Sequence, residues 1–222
     1  MPRYVLRLWL PDRPGALGQV ASRIGSVHAD VVGIEILERG GGRAVDDLVV
    51  SLPSDDLVDL LVREVTQVEG VDVEWVQAVD GGDHDPQLAL LEAAEGLAAV
   101  EDEGARLDLL SAELQRVFEL TWLSVVDRPG SAVVIATGPA PPASWVLAFV
   151  EGSRHLADQA DHGAEDVAWT ELGEDRYLAV GRTGRPLRAR ERRQLAALVR
   201  INAAINTAID GARRPGWRAA PA

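Results

Sequence analysis

The chain has 222 residues, 47% of them hydrophobic, a mean hydropathy close to zero and a net charge of −13. That length can hold two small domains with cores of their own, and the negative charge argues against nucleic acid, because a duplex binder needs a basic face to release counterions. Cysteine is absent and all 22 basic residues are Arg, which excludes thiol nucleophiles, disulfides, thiolate zinc sites, Schiff-base chemistry and the P-loop lysine.

In chain order, Tyr4, Leu6, Leu8 and Leu10 alternate with Arg3, Val5, Arg7 and Trp9, the pattern of a strand with one face on a core. The strand runs into Pro11-Asp12-Arg13-Pro14-Gly15 and then into a helical pattern, Leu17, Val20, Ala21, Ile24 and Val27, so backbone N–H groups at a helix N-terminus are expected to face outward beside a strand end. A second strand is predicted over Val31 to Glu38, a turn at Gly40-Gly41-Gly42, and a third strand over Ala44 to Leu52. Pro53 breaks the run, Ser54 or Asp55 can cap, and Leu57, Leu60, Leu61 and Val65 mark a second helix. After Gly70, Val71, Val73 and Trp75 make a fourth strand. The predicted order is β-α-β-β-α-β, an α+β, ferredoxin-like arrangement.

These residues resemble the ACT domains, a family that binds amino acids and controls metabolic enzymes or transcription. The resemblance covers about residues 3 to 79 and rests on Asp12-Arg13-Pro14-Gly15-Ala16-Leu17, the helix after it, and Ala29-Asp30-Val31 opening the second strand. It implies a ligand at an interface between two domains, held by Asp12, Arg13, Pro14, Gly15, Ala16 and Leu17 of one and by Ala29, Asp30 and Val31 of the other. Asp30 stands where many amino-acid-binding members carry Asn, and His28 where Gly is common; a carboxylate at Asp30 suits an ammonium and repels a carboxylate. Read from the residues alone, Gly15 can simply tolerate the turn's backbone angles, Asp12 can be an N-cap, and Arg13 can be a solvated charge.

Asp80-Gly81-Gly82-Asp83-His84-Asp85-Pro86 combines turn formers and charge without an apolar period, so the expected division is a first domain over residues 1–80, a linker over 81–87, a second domain over 88–211 and a disordered tail over 212–222. Two helical stretches follow the linker, one through Leu88, Leu91, Ala94 and Ala98 and one through Leu107, Leu110, Leu114 and Val117, with Gly104 between them; one interrupted helix is the alternative. Strands are predicted over Thr121 to Val126, Ala132 to Thr137 and Trp145 to Val150, then a short helix from Gly152 to Asp161, strands over Glu165 to Leu172 and Arg176 to Gly181, and a long helix from Arg188 to Asp210. Arg182, Arg185, Arg188, Arg190, Arg192 and Arg193 form a basic cluster that reads either as a dock for an acidic partner or as a solvated helix N-terminus. Asp127-Arg128-Pro129-Gly130 repeats the tetrapeptide at Asp12 to Gly15, but the β-branched residues after it favour a hairpin turn over a second ACT copy.

The element order over about residues 88 to 210, closing on Tyr177 to Gly181 and a helix, is similar to GAF-like sensor domains with an antiparallel sheet. In that family the first and last helices often pair between subunits, so the terminal helix reads as a dimerisation element or as cover for its own sheet. No Ser-His-Asp order stands out, Ser144 lacks a Gly-x-Ser-x-Gly setting, His84, His155 and His162 are scattered, the many carboxylates read mostly as surface acids, and the pairs Asp46-Asp47 and Asp55-Asp56 occupy a strand and a helix start, where adjacent residues point in different directions. No catalysis, metal or cofactor is expected. No apolar run reaches the length of a membrane span and Met1-Pro2-Arg3 leads into a strand, so a cytoplasmic protein without a membrane partner is expected. The resulting expectation is a regulatory, homodimeric sensor of an amino acid or related metabolite, coupled to a GAF-like domain. The alternative is an interaction protein that binds no metabolite and assembles a protein partner.

Overall fold

The computed structural model describes residues 1–79, 85–156, 166–173 and 175–213. Two compact units divide the chain, Met1–Asp85 and Pro86–Ala222. Within the first, the order is β1 (Arg3–Pro11), α1 (Ala16–Ser26), β2 (Asp30–Gly40), β3 (Arg43–Ser51), a 3-10 turn at Asp55–Leu57 leading into α2 (Val58–Val65), and β4 (Asp72–Val79). All neighbouring strands are antiparallel in the order β2-β3-β1-β4, the ferredoxin-like sheet that the alternation predicts.

The core of this unit lies between one sheet face and the two helices. Leu6, Leu8 and Leu10 of β1 and Leu48 and Val50 of β3 pack with Val20 and Ile24 of α1 and Leu61 and Val65 of α2. Each such side chain, fully removed from water, contributes about 1.5–3 kcal/mol. Ala21, expected on the buried stripe of α1, is exposed instead, because the apolar set closes one residue earlier, on Ala16, Val20 and Ile24. Neither Ser54 nor Asp55 caps α2 with its side chain; the Ser54 hydroxyl is taken up by Asp56, and Asp55 accepts from the Tyr4 hydroxyl at 2.6 Å.

The second unit reads α3 (Pro86–Ala98), α4 (Glu103–Phe118), β5 (Trp122–Asp127), β6 (Ala132–Thr137), α5 (Ala143–Leu156), β7 (Val167–Glu171), β8 (Arg176–Gly181) and α6 (Ala189–Arg213). Its antiparallel sheet has the order β6-β5-β8-β7. Alternation along β5 and β8 feeds two cores: Leu123, Val125, Leu178 and Val180 pack with helices α3, α4 and α6, while Trp122, Val126, Tyr177 and Ala179 pack with Val146 and Val150 of α5. The sheet is therefore sandwiched between helices. A Cβ at Gly181 would fall 2.1 Å from Trp122 Nε1, so the indole lies where only glycine leaves room.

Four expectations change. Trp145 to Val150 is not a strand but the centre of α5, which absorbs the start of the helix expected from Gly152; residues 157–165 lie outside the described residues. The run is rich in β-formers, yet Val146 and Val150, one helical turn apart, are the buried pair, and tertiary packing overrides propensity. Gly104 does not separate the two helices: α4 begins at Glu103, where the Asp102 carboxylate caps it by accepting from Ala105 N–H at 2.8 Å. The basic cluster is no solvated helix start, because Arg182 and Arg188 are buried. Asp46 and Asp47 are likewise buried, not surface acids. The Asp127–Gly130 repeat joins β5 to β6 as a hairpin. Of the tail expected from residue 212, residues 212 and 213 close α6 and the remainder lies outside the described residues, as do most of the expected linker, His84 and His162.

Candidate functional site

The turn after β1 is built by its prolines and by Gly15. Asp12 N–H donates to Gly42 O at 2.9 Å, tying the turn to the β2–β3 hairpin, and Arg13 O accepts from Ala16 N–H at 3.3 Å. Gly15 stands at the N-cap of α1 with φ 88°, a left-handed conformation that suits glycine, and contributes no capping side chain. Among the described residues, no acceptor takes the N–H groups of Leu17 and Gly18. Those two amides, with the positive end of the helix dipole behind them, favour a carboxylate. Asp12 is not the cap; its carboxylate lies 4.0 Å from Arg39 Nε, an exposed pair that contributes little to stability. Arg13 and Pro14 are exposed, Ala16 is buried in the core and Leu17 packs partly against it.

Ala29, Asp30 and Val31 are far from that turn in the same chain. Asp30 pairs with Ser51, which pairs with Arg3, whereas the turn begins at the opposite sheet end, where Gly40, Arg43 and Pro11 align. The separation along the strands is about 25 Å. Ala29 is buried, Asp30 exposed, and His28 before them takes a left-handed φ of 59°. One chain thus does not bring the two halves of the expected site together.

Sequence reasoning missed Asp46. It sits on β3 between Ala44 and Leu48, on the face that carries α1 and α2, opposite Leu8 and Ile36. Only 3% of it is exposed, and its Oδ1 has no hydrogen-bond partner among the described residues. Burial pushes its carboxyl up to about 6; Arg39 pulls it down, while Asp47 and Asp12 push it further up. The charges acting on Asp46 thus include both members of the exposed pair beside the turn. An acid at a core-facing register, between Ala44 and Leu48, was the available signal, hidden by reading the carboxylates as mostly surface acids.

The consequence for stability has a definite sign. The folded chain keeps the Asp46 proton up to about pH 6, whereas an unfolded carboxyl releases it near 3.8, so between those values the native state binds more protons and stability falls as pH rises. Asp46→Asn is expected to flatten that slope and to raise stability at pH 7, read as urea midpoints across the range. A slope unchanged by the substitution would place the titration elsewhere.

No family model matches the chain, and no curated protein does. Among solved structures, the ACT domain of a GTP pyrophosphokinase from Chlorobium tepidum matches at 18% identity, covering 37% of this chain and 91% of that one, with a TM-score of 0.29. The chain is similar to an ACT domain. The C-terminal domain of the MgtC protein from Mycobacterium tuberculosis matches at 16% identity over 38% of this chain and 93% of that one, with a TM-score of 0.30. An unknown protein from Galdieria sulphuraria matches at 11% identity over 96% of this chain and 93% of that one, with a TM-score of 0.35. The ferredoxin-like fold of the first unit rests on its own strand order and register. Among the described residues, no helix is long and apolar enough to cross a membrane, and no group of His, Asp and Glu is spaced to hold a metal ion.

Proposed function

We propose that the chain is a regulatory sensor: an ACT domain over residues 1–80 that takes an amino acid or related metabolite, joined to a GAF-like domain over 88–211 that carries the response. Two features of the first unit support this reading. Unclaimed amides of Leu17 and Gly18 suit a carboxylate, and the buried carboxylate of Asp46, whose Oδ1 has no partner among the described residues, suits an ammonium. A zwitterion carries both groups.

Edge strand β2 supports a homodimer, which is the state the reading requires. Val32 and Ile34 are 48% and 51% exposed along an unpaired edge, a surface that invites another chain. Docking a second copy there lets Ala29, Asp30 and Val31 of that copy approach the turn formed by Asp12 to Leu17. A ligand bound between copies favours one arrangement of the pair, and the shift in population is the signal. The same apolar edge favours a second reading, an assembly protein that needs no metabolite.

Thermal melts with each common amino acid separate the two. A ligand at a hundredfold excess over its Kd stabilises the folded state by about 2.7 kcal/mol, so at least one amino acid is expected to raise the melting temperature, and Asp46→Asn is expected to abolish that rise. If no amino acid shifts the melt while the chain still elutes as a dimer, the assembly reading stands.

A further inference from the structure

The second unit carries an open groove of about 540 Å³ between α3 and α6. One face of each helix forms its walls. On α3, Gln87, Leu90, Leu91 and Ala94 recur at the spacing i, i+3, i+4, i+7, and on α6 the facing stripe runs through Arg190, Arg193, Ala197 and Ile201. Beneath the groove the two helices share the core through Ala93, Leu97, Leu195 and Leu198. Nothing in the second unit covers the rims: Leu91 is 69% exposed and Ile201 42%. A single exposed apolar side chain is ordinary, but apolar side chains on both walls of one groove make a surface that a partner can dry.

Shape and charge together specify what fits. Two helical stripes side by side present ridges at helical spacing, which match the ridges of a third helix and not the two-residue period of a strand. From Arg190 to Ile201 the α6 stripe runs about 16 Å, the length of three helical turns. Ala94 and Ala197 are small and leave room in the channel for larger side chains of the guest. The charge is one-sided. No acid lines the groove, and two arginines stand at one end of it, on a chain whose net charge is −13. Arg193 is exposed, its Nε donates to Ala189 O at 3.3 Å, and no carboxylate pairs with it among the described residues. That end attracts acids, while the end at Ala197 and Ile201 attracts apolar side chains. We propose that the groove docks an amphipathic helix of a partner protein, apolar along one stripe and acidic in the turn that lies over Arg190 and Arg193.

This surface lies in the second unit and does not depend on the ligand reading of the first, and its test keeps the two apart. The probe is a labelled helical peptide of about 16 residues, built from Ala, Gln, Leu and Glu, with Leu at i, i+4, i+7 and i+11 and Glu in its first turn. Fluorescence polarisation with the full chain is expected to give saturable binding with a Kd of about micromolar or below. A peptide of the same composition with Leu at every second position is expected not to bind, and one with Lys in place of Glu to bind more weakly. Leu91→Asp with Ile201→Asp, both exposed positions, is expected to weaken the acidic peptide at least about tenfold, with the circular dichroism spectrum unchanged. Arg193→Glu is expected to weaken it about threefold and to reverse the preference between the Glu and Lys peptides, while Asp46→Asn leaves binding as in the parent. Light scattering is expected to give one mass for the parent and for the Leu91/Ile201 variant. The proposal is overturned if the acidic peptide does not bind up to millimolar concentration, if the alternating or Lys peptide binds equally well, or if the Leu91/Ile201 or Arg193 variant binds as the parent does. It is equally overturned if the Leu91/Ile201 variant turns a dimer into a monomer, which assigns the groove to a second copy of the chain.

Discussion

Glu191→Ala is expected to lower the stability of the second unit by about 3–5 kcal/mol, because it strands a buried cation. Glu191 is 7% exposed, and its carboxylate meets Arg182 Nη1 at 2.9 Å and Nη2 at 3.0 Å. The same carboxylate accepts from the Arg188 backbone N–H at 2.7 Å, the third residue of α6 reaching back to cap its own helix. The remaining donors of Arg182 go to the carbonyls of Phe118, Arg185 and Pro186, so the guanidinium binds the end of α4 to the approach to α6. Without Glu191 the charge cannot move to water, since the side chain of Arg182 is 4% exposed. Glu191→Gln keeps an acceptor and is expected to cost less. Adding Arg182→Met to Glu191→Ala is expected to recover part of the loss. Urea unfolding of the three variants reads the ranking, and a Glu191→Ala variant within 1 kcal/mol or so of the parent would refute the account.

The same ion pair shows why the basic cluster was misread. Glu191 lies three residues after Arg188, the spacing of a capping box, yet nothing in the sequence says that Arg182 folds back to share it. The β1–β4 order was legible because the strands alternate and most breaks carry Gly or Pro, as at Pro14-Gly15, Gly40-Gly41-Gly42, Pro53 and Gly70, although Val27-His28-Ala29 after α1 carries neither. Trp145 to Val150 was not, because its composition favours a strand while its buried pair, Val146 and Val150, follows a helix; Pro142, whose carbonyl accepts from Trp145 and Val146, was the usable sign of a helix start. The turn at Asp12 to Leu17 was legible as local backbone chemistry.

Asp47→Ala is expected to cost as much as Glu191→Ala, about 3–5 kcal/mol, on the opposite face of the first sheet from Asp46. Arg7 is 3% exposed and grips Asp47 with two parallel bonds, Nε to Oδ1 and Nη2 to Oδ2, both 2.8 Å. Its guanidinium lies 4.9 Å from the centre of the Trp75 ring, and β1 pairs it with Asp47 on one side and Trp75 on the other. Removing the carboxylate leaves that cation in the middle of the sheet. Asp47→Asn, which preserves shape and one acceptor, is expected to cost about 1–3 kcal/mol and to do something Asp47→Ala cannot report cleanly. The negative charge of Asp47 is one of the forces holding the Asp46 proton on. Neutralising Asp47 therefore lowers the pH at which Asp46 ionises, moves the stability loss that begins near pH 4 to a narrower span, and makes the Asp46 carboxylate more fully charged at pH 6. If Asp46 serves an ammonium, ligand affinity at pH 6 rises in Asp47→Asn relative to the parent and converges with it at pH 8; equal affinities at both pH values would separate Asp46 from ligand binding.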